Sequence, residues 1–140
     1  MIKLSSVLLV DDAAATNDLN ERLLKQLGLA DRYFAATDGV AALATLEDIA
    51  ADAQPSSPVL VPLDVKMPGM DGMAFVEAYQ RLPENHQQSV VIVMHTATRN
   101  SADLGRIEAL PIAGLVSKPL TKEKVDTILK LHYQRQFPGA

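Results

Sequence analysis

The sequence predicts an α/β protein built on a doubly wound, five-stranded parallel sheet. Three observations carry that expectation. Short apolar runs of strand length alternate five times with longer stretches of helical spacing. Several of those runs are unbroken rather than alternating, as in strands covered on both faces. Polar residues then fall at the ends of the runs, on the sheet edge where doubly wound folds place their sites. The chain has 140 residues, 48% hydrophobic and 21% charged, enough for one packed core without a disulfide or structural metal.

The first strand is the run Val7-Leu8-Leu9-Val10. Thr16 to Leu27 then sets Leu19, Leu23, Leu24 and Leu27 at helical spacing, and Gly28 supplies the stop. Tyr33 to Ala36 reads as a second strand. Asp38-Gly39 opens a helix through Val40, Leu43, Leu46 and Ile49, which dissolves into Gln54-Pro55-Ser56-Ser57-Pro58. Val59 to Leu63 forms the third strand and ends at Asp64. The turn Met67-Pro68-Gly69-Met70-Asp71-Gly72 leads into a helix carrying Phe75, Val76, Tyr79 and Leu82, and Pro83 ends it.

A polar loop through His86 precedes the fourth strand, Val90 to Met94. The fourth helix covers Ser101 to Leu110, and Gly114 to Ser117 makes the fifth strand. Thr121 caps a last helix running to about Gln134. In it Val125, Ile128, Leu129 and Leu131 point inward, while Lys122, Lys124 and Lys130 form a solvated face. Residues 1–135 are thus expected to be one domain, with 136–140 a short tail.

Composition excludes several function classes. There is no cysteine, so thiol catalysis, Cys-ligated zinc and iron–sulfur clusters drop out. Thirteen basic against seventeen acidic residues give a net charge of −4, an unfavourable bulk field for a nucleic-acid partner. Lys3 and the apolar run after it imitate a secretory signal, but Asp11-Asp12 interrupt the pattern. No apolar run approaches the roughly 20 residues of a membrane span, so the expectation is a cytoplasmic protein. His86, His95 and His132 fall in separate elements without a metal-ligand spacing. Strand alternation turns His95 away from Thr96, into a packing or rim position.

The strand ends carry the chemistry. The first ends in Asp11-Asp12, the third in Asp64, the fourth in Thr96 and the fifth in Lys118. With the strand order 2-1-3-4-5 assumed for this fold class, these ends converge. Two carboxylates about 4 Å apart repel by roughly 4 kcal/mol at an effective dielectric near 20, so three together call for a cation. Hard oxygen ligands, few of them from protein, suit Mg²⁺. Lys118 and Thr96 supply a charge and a donor for an anion, a layout for phosphoryl transfer to the carboxylate between them.

In these residues the chain resembles the receiver domain of two-component response regulators, with a flavodoxin-like (βα)5 fold. The resemblance spans about residues 4–134. Val10-Asp11-Asp12, Leu63-Asp64-Val65-Lys66-Met67-Pro68-Gly69-Met70-Asp71-Gly72, His95-Thr96-Ala97 and Ser117-Lys118-Pro119 carry it. It implies that Asp64 accepts a phosphoryl group from a histidine kinase or phosphotransfer partner. Asp12, Asp64 and the Lys66 carbonyl would bind Mg²⁺ directly, and Asp11 through water or as a more distant ligand. Thr96 and Lys118 would hold the phosphoryl oxygens, the lysine aimed by a cis Lys118–Pro119 peptide. Output would pass to an unidentified downstream protein or through self-association on phosphorylation, with no output domain in this chain. The activity would be confined to its own phosphorylation and slow dephosphorylation.

Two positions depart from that pattern. Leu115 stands where receivers often carry a Tyr or Phe that swings inward, so an aromatic rotamer switch is absent. Pro62 lies inside what should be a central strand and removes a ladder donor, implying a bulge or a water-bridged gap. Lys66 and Thr98, each two residues beyond a site residue, border the site and are expected to tune phosphoryl lifetime. Two other readings stay open: a receiver-like scaffold regulated without phosphorylation, and a Mg²⁺-dependent aspartyl phosphohydrolase. The second usually carries Asp-x-Asp after its first strand, where this chain has adjacent aspartates. A flavin-binding flavodoxin fits less well, because Asp11-Asp12 stand where a phosphate would need Ser, Thr or Gly.

Overall fold

The computed structural model describes residues 4–96 and 101–136. Its elements run β1 (Ser6–Val10), α1 (Ala14–Gln26), β2 (Tyr33–Ala36), α2 (Gly39–Ala50), β3 (Val59–Asp64), α3 (Gly72–Tyr79), α4 (Glu84–Gln87), β4 (Val90–Thr96), α5 (Ser101–Glu108), β5 (Gly114–Ser117) and α6 (Lys122–Gln136). All strand pairs are parallel and the order is β2-β1-β3-β4-β5, the order assumed for this fold class.

Strand alternation divides the apolar residues between two layers. Leu8, Val10, Val61, Leu63, Ile92 and Met94 face α2, α3 and α5, where Leu46, Phe75 and Ile107 meet them. Val7, Leu9, Leu60, Val91 and Val93 face α1 and α6, against Leu24, Val125, Ile128 and Leu129. β1, β3 and β4 are buried along their whole length, which is why their sequences read as continuous apolar runs.

Helix starts follow their caps. Asp38 Oδ1 accepts from Ala41 N at 2.8 Å and opens α2; Asp71 Oδ1 accepts from Ala74 N at 2.8 Å and opens α3. Thr121 Oγ1 accepts from Lys124 N at 3.2 Å at the start of α6.

Several details differ from the sequence reading. α1 begins at Ala14 rather than Thr16, and β4 continues through His95 and Thr96. The described residues hold six helices, not five, because the polar loop contains the single turn α4. α3 stops at Tyr79, so Leu82 lies beyond it. Leu19, Val40 and Leu131 are 64%, 66% and 44% exposed, so these three do not share the inward stripes of their helices. Gln136 ends α6 rather than starting a tail, and 137–140 lie outside the described residues.

Pro62 sits in β3 with its register to β4 unbroken, Pro62 opposite Val93. On the β1 side pairing runs through Val7–Leu60, resumes at Val10–Leu63, and lapses between. The missing N–H therefore opens a gap in one ladder without a bulge in the other.

Candidate functional site

Three strand ends bring the acidic residues together. β1 runs straight into Asp11, which is 1% exposed, whereas Asp12 one residue on is exposed. Asp64 ends β3 and is buried. Carboxylate oxygens of Asp11, Asp12 and Asp64 all lie within 4.8 Å of one another. This donor set is all hard oxygen, mostly buried and like-charged, so it fits a small divalent cation such as Mg²⁺.

Lys118 already balances part of that charge. Its Nζ donates to Asp11 Oδ2 at 3.1 Å and lies 3.2 Å from Asp64 Oδ1. Partial burial pulls the ammonium down, but its hydrogen bond to Asp11 and the charges of Asp64 and Asp11 outweigh this and hold it above the usual lysine value. Burial, then the neighbouring Asp11 charge, raises Asp64 above the ordinary carboxylate range, against the pull of Lys118 and of the Lys66 backbone N–H that it accepts.

The backbone around the cluster fixes these side chains. Ala13 N donates to Asp11 Oδ1 at 2.9 Å. The Asn17 amide, buried in α1, donates to both Asp11 O and Ala36 O at 3.1 Å, lacing the ends of β1 and β2 to the helix. After Asp64 the chain turns through Gly69, whose φ of 72° is the left-handed conformation glycine accepts freely. Gly72 N then donates to Val65 O at 2.9 Å and closes the loop.

Lys118 N donates to Thr96 O at 3.0 Å, so the ends of β4 and β5 are joined through backbone. Thr96 is buried at the end of β4, on the opposite sheet face from His95. The Lys118–Pro119 bond is cis, as the resemblance implies. Lys124 is no solvated lysine: its Nζ donates to Ser117 O at 2.8 Å, Ser117 Oγ at 3.2 Å and Pro119 O at 2.9 Å, bracketing Lys118.

His95 is likewise more than rim packing. It is 1% exposed, shares a face with Val91 and Val93, and places Nδ1 4.0 Å from Asp11 Oδ2. Burial, helped by the Lys118 charge, pushes the imidazole down to about 4, so it is neutral at physiological pH. Asn17, Lys124 and His95 are the site residues that sequence reasoning did not assign. Lys66 is exposed at the mouth of the site; Ala97 and Thr98 lie outside the described residues.

A parallel sheet of this order, with carboxylates and a lysine meeting at its carboxyl edge, defines an aspartate-centred α/β domain of the receiver class. The chain belongs to the response regulator receiver domain family, which matches residues 7–130. It is 30% identical over 124 residues to a probable chemotaxis protein CheY of Rhizobium etli, covering 89% of this chain and 88% of the relative. A crystal structure of a response regulator receiver protein from Dyadobacter fermentans superposes with a TM-score of 0.77 at 26% identity, covering 96% of this chain and 99% of that one. Vibrio cholerae chemotaxis protein CheY4 superposes with a TM-score of 0.70 at 27% identity, covering 91% and 97%. Phosphorylation on an aspartate and Mg²⁺ binding at an acidic cluster are general to this family, whose members are generally not true enzymes. Among the described residues no helix is long and apolar enough to cross a membrane.

Proposed function

We propose that residues 1–135 act as one cytoplasmic receiver unit that accepts a phosphoryl group on Asp64 from a histidine kinase or phosphotransfer protein. Output is then a change in binding to a downstream protein or to a second copy of the chain. The observation that carries this reading is the bridge from Lys118 Nζ to both Asp11 and Asp64. It favours the anionic form of Asp64, against its burial and the Asp11 charge, and holds a cation where phosphoryl oxygens would arrive.

In the transfer, the bond between phosphorus and the donor's imidazole nitrogen breaks and a bond to an Asp64 carboxylate oxygen forms. The donor leaves as the free imidazole. Asp11, Asp12 and Asp64, with the Lys66 carbonyl, would hold Mg²⁺, which supplies charge neutralisation between carboxylates and phosphoryl oxygens. Lys118 and Thr96 bind the transferred oxygens and pass the change to β4, β5 and the helices beside them.

The test is incubation with Mg²⁺ and a small phosphodonor, followed by intact mass. One acid-stable, base-labile adduct is expected, and Asp64→Asn abolishes it. No adduct, with beryllofluoride also failing to bind, supports the scaffold reading. Rapid turnover of many phosphate esters supports a hydrolase.

A further inference from the structure

The bridge on Asp11 is one-sided. Asp11 Oδ1 accepts from Ala13 N at 2.9 Å, while Oδ2 takes Lys118 Nζ at 3.1 Å. Behind that lysine, His95 Nδ1 stands 4.0 Å from the same Oδ2, too far for a hydrogen bond, and is buried without a partner. In either charge state, an imidazole facing a carboxylate carries a proton on the facing nitrogen, because a lone pair there would be repelled. A donor therefore waits about one ångström short of an acceptor that the lysine now occupies.

We infer that His95 is a positioning residue for Asp11: when Lys118 is drawn onto an incoming phosphoryl oxygen, the His95 Nδ1–H closes on Asp11 Oδ2 in its place. The inference rests on the phosphoacceptor reading above. Asp11 is buried, so with its lysine drawn away Oδ2 would face the Mg²⁺ site with no protein donor of its own. An apolar residue at position 95 has no donor to offer; the imidazole lowers the cost of moving Lys118 and so favours the phosphoryl-bound arrangement. No bond to phosphorus is made at His95.

The test compares the whole chain with His95→Val, which keeps bulk but no donor, and His95→Asn, whose amide reaches the place of Nδ1. Beryllofluoride with Mg²⁺ is the probe. His95→Val should weaken beryllofluoride binding by about tenfold, while Mg²⁺ affinity without fluoride stays within about twofold and His95→Asn recovers most of the loss. In the wild type, the Nδ1 proton should shift and exchange more slowly on binding, read from the isotope-labelled imidazole by NMR. Equal beryllofluoride affinity in His95→Val, a parallel loss of both affinities, or an unmoved Nδ1 signal would overturn the inference. If His95→Val does not fold, the wild-type imidazole signal decides alone. Failure of the wild type to bind beryllofluoride overturns the phosphoacceptor reading and this inference with it.

Discussion

Gly72 lies directly against Asp64. A Cβ at Gly72 would come within 2.5 Å of the Asp64 carbonyl oxygen and 2.9 Å of Val65 Cα. Both obstacles are backbone, and they belong to the segment that aims the Asp64 carboxylate. Gly72→Ala should cost about 2–3 kcal/mol in urea unfolding. It should also weaken beryllofluoride binding, since relief requires the end of β3 to move. Unchanged values on both counts would mean that the loop yields elsewhere.

Pro62 offers the opposite sign. Its ring borders a small apolar void shared with Leu60, Val93, Leu120 and Val125, and the β1 ladder lapses beside it. Pro62→Val restores a donor and suits a strand, although it gives back some freedom to the unfolded chain. A net gain of about 1 kcal/mol is expected, measured by denaturant midpoint with an unchanged slope. A loss would show that the proline ring is better packed than the gap suggests.

Lys66 is exposed two residues beyond Asp64, and its backbone N–H donates to the Asp64 carboxylate. Lys66→Ala should shorten phosphoryl lifetime several-fold by opening the mouth of the site to water. Thermal stability should barely change, as for most exposed substitutions. Identical decay rates in the two proteins would remove any role for this side chain.

Tyr79 carries an alkaline signature. Burial pushes its phenol up to about 12 from 10, and its hydroxyl donates to Gln87 O at 2.9 Å, tying α3 to α4. The folded state thus holds the proton more tightly than the unfolded chain. The resulting stability is complete below pH 10 and is lost as pH climbs to about 12, a change of roughly 3 kcal/mol at most. Tyr79→Phe should be about 1 kcal/mol less stable at neutral pH yet lack this loss, so the two stability curves should cross in that window. Parallel curves would refute the assignment.

The strands and the residues at their carboxyl ends were legible from run length, run composition and chain order, whereas the sheet order came from the fold class and not from the residues themselves. Finer features depend on what meets what. Leu19 and Val40 fit a helical stripe by spacing, but the stripe's phase against the sheet leaves them outside. Lys124 looks like any surface lysine until the end of β5 and the loop after it present three oxygens to it. Asn17 matters through two carbonyls and His95 through a carboxylate, all brought near from other elements. Adjacent Asp11 and Asp12 differ sharply in burial, a consequence of where β1 stops that no dipeptide reveals.

The sheet also works as a partition. Leu24 and Phe75 are both fully buried, yet one belongs to the layer under α1 and the other to the layer under α3. Truncations at the two positions should therefore add with little cross-talk. The rim is different: Thr96 looks into one chamber, while Asp11, His95 and Lys118 crowd the other. One small anion seated there would touch both sides of the wall at once, and so could set two helical layers in register from a single point.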